Sequence, residues 1–276
     1  MLKTRIITAL VLLAVLLPVL YSNNYMAFAV VASVFFGAAI WECFRLFNPG
    51  NKRAILIAVV WTIVFAYTFF GRPQANPTFW FGIGVVLWLL RFAPSLKFGL
   101  PPLNSTGNTL LSVLYALSLV SCFAAIVNLY TYSAVFLLSV LAIVWAADIF
   151  AYVCGKTFGK NKLAPSISPG KSWEGAIGGG VVTLILVSLS VLFGGEALAN
   201  TFAVRIQAGF GWAGLIGLII LIVAASIVGD LFESQLKRRA GMKDSSNLLP
   251  GHGGVLDRID ALVPVLPLAA LAATRL

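Results

Sequence analysis

The residues able to do chemistry in this 276-residue chain are acidic, and they are concentrated. Eight of its nine carboxylates lie between 148 and 260: Asp148, Glu174, Glu196, Asp230, Glu233, Asp244, Asp257 and Asp260. Several sit in or beside apolar runs, where an ionised carboxylate is costly unless it faces a partner or a wet cavity. Asp257 and Asp260 are spaced i, i+3, and Asp148 and Tyr152 i, i+4, so each pair shares one face of a helix. Carboxylates gathered at one membrane depth repel each other unless cations intervene. Oxygen donors without His or Cys partners favour a hard cation, Mg²⁺ first. Asp148, Asp230, Glu233, Asp257 and Asp260 are therefore the informative acids, with Asp257 and Asp260 the candidate ligand pair. The alternative for Asp257 and Asp260 is a helix cap paired with Arg258 or Lys243.

Charges of the opposite sign lie close by. Lys237, Arg238, Arg239 and Lys243 surround a short loop, which runs through Pro250-Gly251-His252-Gly253-Gly254 into the helix of Asp257. Glycines such as Gly253 and Gly254 let backbone N–H groups approach a ligand, and a helix start favours anions. Cations, glycine turn and carboxylates together suit a phosphate chain bridged by Mg²⁺, with a second cation allowed. Positive-inside topology explains the basic run alone equally well. His252 by itself reads as an interfacial loop histidine. An earlier loop, Ser166 to Gly175, has the same character: Ser168 and Ser172 offer hydroxyls and Lys171 a point charge for phosphate. Glu174 there also suits a helix start. Gly155 to Lys160 lacks the spacing of a P-loop and no strand precedes it. Cys43, Cys122 and Cys154 are scattered and His252 is the only histidine, so neither a zinc site nor a disulfide framework is expected.

The elements that must position these groups are membrane helices. Hydrophobic residues make up 60% of the chain and charged residues 10%, against about 25% charged in soluble domains. Nine apolar runs fall near 5–21, 26–47, 54–71, 78–95, 108–129, 133–154, 175–194, 211–233 and 254–274, predicting an all-α polytopic integral membrane protein with about nine transmembrane helices. Ser22-Asn23-Asn24 is a poor cleavage site, so the first two runs read as an uncleaved hairpin. With the N-terminus inside, 16 of the 19 Lys and Arg fall on the inner side and only Arg72, Arg205 and Arg275 outside, which supports this count. The net charge of +10 then reflects orientation and anionic headgroups, not nucleic acid. Residues 1–100 form N-terminal helices of unassigned role, Glu42 being their one acid. Residues 101–276 form the region with chemistry, with inner loops at 155–174 and 234–253. Composition alone favours a transporter or channel for an anion or lipid, but that reading leaves the gathering of cations, glycines and acids at one face unexplained, since charges would then be expected nearer the midplane.

The stretch from Ser234 through Lys237-Arg238 and Lys243-Asp244, the Pro-Gly-His-Gly-Gly turn, and Asp257-Arg258-Ile259-Asp260 resembles the signature of the phosphatidate cytidylyltransferases, the CDP-diglyceride synthases. That signature runs SxxKRxxxxKD, then the turn, then DRxD. Asp148 with Ala151-Tyr152 and Gly155-Lys156, Ser168 to Gly175, and Gly229 to Ser234 look like the family's other shared segments. The resemblance implies transfer of a cytidylyl group from CTP to phosphatidic acid at the cytoplasmic side of a bacterial inner membrane, by a homodimer embedded in the bilayer. It implies Asp230 and Asp257 as principal Mg²⁺ ligands, supported by Asp260 and Asp244. Lys237, Arg238, Lys243 and Lys171 would neutralise phosphates, with Ser168, Ser172, Ser234, Gly253, Gly254 and Arg258 binding substrate. His252 would orient a phosphate or the leaving group. Another CTP-dependent lipid enzyme on the same scaffold is the neighbouring reading.

Overall fold

Inside a bilayer no water satisfies backbone N–H and C=O groups, so a chain this apolar must pair them within helices. A computed structural model describes residues 2–22, 24–50, 52–71 and 76–276; Asn23 and Arg72 lie outside these. The described chain forms α1 (Leu2–Tyr21), α2 (Tyr25–Phe47), α3 (Ala54–Phe69), α4 (Thr78–Phe98), α5 (Thr106–Tyr132) and α6 (Ala134–Phe158). A hairpin of β1 (Lys162–Ala164) and β2 (Ser168–Ser172) follows, then α7 (Trp173–Phe193), α8 (Phe202–Arg239) and α9 (Leu262–Ala273). Helices α2 and α4 to α8 are long and apolar enough to cross a membrane; Ile6–Tyr21, Ala54–Phe69 and α9 are shorter apolar helices. The chain is a polytopic membrane protein.

Three boundaries differ from the sequence reading, each for a local reason. Helix α8 is two helical stretches that meet at Gly211, whose backbone is non-helical (φ 69°, ψ −176°); the expected start near 211 marks this kink, and a further stretch from Phe202 precedes it. The last helix is not continuous from 254. A single turn, Leu256–Ile259, is separated from α9, since Pro264 has no N–H for the Asp260 carbonyl four residues back. The stretch 155–174 is not all loop: Gly155 to Phe158 extend α6, and β1 pairs antiparallel with β2 through Lys162–Ser172 and Ala164–Ser168.

Helix α5 is the hub, with 72% of its apolar window buried against α2, α4 and α9. Helix α9 is apolar all round, and Val263, Val265, Leu266, Ala269 and Ala270 are fully buried. Helices α6 and α7 approach closely through small residues: a side chain at Gly175 or Gly179 would run into the α6 backbone at Ala151 or Ala147, a packing mode suited to lipid. Ile177, Val181 and Ile185 on the other face of α7 are exposed and face lipid. At the end of the bundle that carries Lys237, a π turn at Trp88–Phe92, just before Pro94, brings Trp88 and Phe92 onto Tyr115 and Phe232. Their ring centroids lie 4.9–6.4 Å apart. This cluster fixes the turn of α8 that carries Asp230, Glu233 and Lys237.

Candidate active site

The inner end of α8 and the turn ahead of α9 meet at Asp257. Lys237 Nζ donates to its Oδ1 at 2.7 Å; Ser245 N–H, Ser245 Oγ and Gly254 N–H donate to Oδ2 at 2.8, 2.9 and 2.7 Å. Burial alone would raise this carboxyl, but these donors and the Lys237 charge hold it below the ordinary carboxylate range. Gly253 adopts φ +82°, and a Cβ there would press on Asp257 Oδ2. Thus Asp257 organises the glycine turn as much as it faces a ligand. Oδ1 accepts a single bond and retains a lone pair.

About two turns before Lys237 on α8, Asp230 binds Lys171 at 2.6 Å and accepts from Ser234 Oγ at 3.2 Å. This ion pair joins the β2 strand to α8, so the two inner regions separated in sequence form one site. Ser172 caps α7, its Oγ accepting from Gly175 N–H at 3.2 Å. Glu174 folds back to accept from Lys160 N–H, Asn161 N–H and Asn161 Nδ2, closing the turn before β1. Glu233 is fully buried and 3.4 Å from Lys237 Nζ, and neither of its carboxylate oxygens accepts a hydrogen bond. Among the described residues no three His, Cys, Asp or Glu side chains are gathered as a ready ligand set.

Two cavities open onto this cluster. A polar one of about 800 Å³ is lined by Lys156, Lys162, Ser168, Lys171 and Tyr152, with Asp230. An apolar one of about 470 Å³ runs between α1, α2, α5 and α6, past Leu12, Leu16, Phe28, Phe123 and Trp145, and ends at Arg258. Asp148, Asp257 and Asp260 line both. Helix α1 walls the apolar cavity, and Thr8 Oγ1 donates to Pro250 O of the glycine turn at 2.7 Å.

Asp148, Ser168, Lys171, Ser172, Asp230, Asp257 and Asp260 therefore share one cavity, and Lys237 and Ser234 contact it through their carboxylate partners. Lys243, Asp244 and Arg238 are exposed on the surface and do not line either cavity. His252 sits in the turn with Nδ1 buried and unpartnered. The three cysteines are free. Sequence reasoning passed over Glu42, which the structure places directly behind Asp257. Its carboxylate accepts from Ser245 Oγ, Ser246 Oγ, Val255 N–H and Leu256 N–H. An acid near the end of an otherwise apolar α2 was the available signal, since such a group needs a partner.

Residues 3–275 match the cytidylyltransferase family. A phosphatidate cytidylyltransferase of Haemophilus influenzae is 36% identical, aligned over 97% of this chain and 96% of its own. One of Pseudomonas aeruginosa is 36% identical over 98% and 96%, and one of Bacillus subtilis 30% over 96% and 95%.

Proposed function

The chain belongs to the cytidylyltransferase family, and from that premise we propose that it transfers the cytidylyl group of CTP to phosphatidic acid. CDP-diacylglycerol and pyrophosphate are the products. The observation that carries this reading is the shared wall: Asp148, Asp257 and Asp260 separate a polar cavity with lysines from an apolar cavity between helices. A water-soluble triphosphate fits the first and the acyl chains of a lipid the second, so the two phosphates meet at the carboxylates. Bacterial relatives and the inner-side basic residues support a cytoplasmic membrane with this face towards the cytosol.

A phosphatidate oxygen attacks the α-phosphorus of CTP in line; the new P–O bond forms as the bond to the β-phosphate oxygen breaks and pyrophosphate leaves. The lipid phosphate is already ionised, so no protein nucleophile is needed. Lys171, with Lys156 and Lys162, neutralises the triphosphate, and Arg258, at the end of the apolar cavity, meets the lipid phosphate. Lys237 holds Asp257 in orientation. The donor set fits a hard divalent cation: Asp148, Asp230 and Asp260 line one cavity with oxygen donors only, and Asp257 Oδ1 keeps a lone pair. Those residues would hold Mg²⁺, which would supply neutralisation of phosphate charge there. Positive charge from Lys171 and Lys237 already sits on Asp230 and Asp257, marking where such a charge is accommodated.

The test is the reaction itself. Purified protein given CTP, phosphatidic acid and Mg²⁺ in detergent should form CDP-diacylglycerol. No product, with nucleotide-independent solute flux in liposomes, overturns the proposal in favour of a transporter.

A further inference from the structure

We propose that Glu42, on α2 and 215 positions before Asp257 in the sequence, is a positioning residue for the transfer reaction. The inference rests on the function proposed above. Glu42 is fully buried, and burying a carboxylate in a membrane helix is costly unless its oxygens are satisfied. Here they are. Oε1 accepts from Ser246 Oγ at 2.5 Å and Val255 N–H at 3.0 Å; Oε2 accepts from Leu256 N–H at 2.6 Å and shares the single Ser245 hydroxyl proton, 3.1 Å away, with Asp257 Oδ2. Every donor comes from the segment that carries Asp257.

The connection to Asp257 is direct. The Ser245 hydroxyl lies between the two carboxylates, 3.1 Å from Glu42 Oε2 and 2.9 Å from Asp257 Oδ2. On the other side, Val255 and Leu256, held by Glu42 through their N–H groups, immediately precede Asp257. Asp257 is thus gripped from both flanks by one side chain of a distant helix. Gly254 is part of the same arrangement. A Cβ at Gly254 would overlap both Ser245 Oγ and the Glu42 carboxyl. The last glycine of the Pro-Gly-His-Gly-Gly turn is therefore required by the approach of Glu42, and its N–H is spent on Asp257 Oδ2. Gly254 is a structural glycine, not a phosphate cradle.

Glu42→Gln tests this. The amide keeps the shape but presents an NH₂ where a carboxylate oxygen now accepts two bonds, so two donors face a donor. Glu42 touches neither cavity, so its effect should reach kcat through the orientation of Asp257. On protein that is monodisperse in detergent, assayed well below its own unfolding temperature, kcat should fall at least about tenfold while KM for CTP stays within about threefold. Ser245→Ala removes the shared hydroxyl and should lower kcat in its own right. The double variant should be no worse than about twofold below Glu42→Gln, because both act on one carboxylate. Unchanged kcat per folded molecule in Glu42→Gln, or losses that multiply in full, overturns the role. If Glu42→Gln yields no folded protein, Ser245→Ala decides alone, and full activity there overturns it. Wild-type turnover in the same assay separates a failure of this role from a failure of the proposed reaction.

Discussion

Asp230 and Asp257 face the same cavity, but their surroundings predict different consequences of the same substitution. In Asp257→Asn one oxygen still accepts from Ser245 and Gly254, while the new NH₂ points at Lys237 Nζ, now 2.7 Å from Oδ1. The side chains of this pair are 4% and 13% exposed. Lys237 keeps Glu233 at 3.4 Å, but losing its closer partner and setting a donor against a donor in so buried a site costs about 3 kcal/mol. At about 2–4 °C per kcal/mol for a chain of this size, the unfolding temperature should fall by about 6–12 °C. Asp230 and Lys171 are 32% and 27% exposed, and a pair that wet contributes only about 0–1 kcal/mol. Asp230→Asn should therefore unfold within about 4 °C of wild type. Both should lose turnover by about a hundredfold or more, since each removes a charge facing the transferred phosphate. Thermal unfolding in detergent, beside transfer of labelled CMP from CTP to phosphatidic acid, measures both quantities. Asp230→Asn being the less stable of the two, or Asp257→Asn unfolding with wild type, would refute the assignment of structural weight to Asp257.

Chelation offers a separate check. EDTA should abolish turnover and Mg²⁺ restore it, while the unfolding temperature changes by less than about 4 °C, because Lys171 and Lys237 pair with Asp230 and Asp257 and balance their charge from within the chain. Leu16→Trp, on the α1 wall of the apolar cavity, should raise KM for long-chain phosphatidic acid several-fold and leave KM for CTP unchanged; equal shifts for both substrates would place the acyl chains elsewhere.

The sequence made the membrane fold and one half of the site readable, because those features are local. Twenty-residue apolar runs announce helices wherever they occur, and the segment from Ser234 to Asp260 carries its acids and bases within a few helical turns. What it could not announce depends on distant partners. Glu42 is a lone acid on an apolar helix, and only the packing of α2 against the turn ahead of α9 explains it. The pairing of Lys171 with Asp230 depends on a β-hairpin that Ser-Pro-Gly-Lys-Ser does not advertise, since such residues serve turns as readily as strands. Lys243 and Asp244 share the motif's spacing with Lys237 and Asp257, yet they point to solvent. Spacing along a loop does not set direction as it does on a helix.

The two cavities with a common wall also decide what concentration means at this site. CTP and pyrophosphate exchange with a volume, so their availability is a molarity. The lipid substrate and product exchange with a sheet two molecules thick, so theirs is a mole fraction of the surrounding bilayer. Doubling the membrane while holding total phosphatidic acid fixed should halve the effective supply of one substrate and leave the other untouched. The carboxylate wall is the boundary at which a surface density and a bulk concentration enter a single rate.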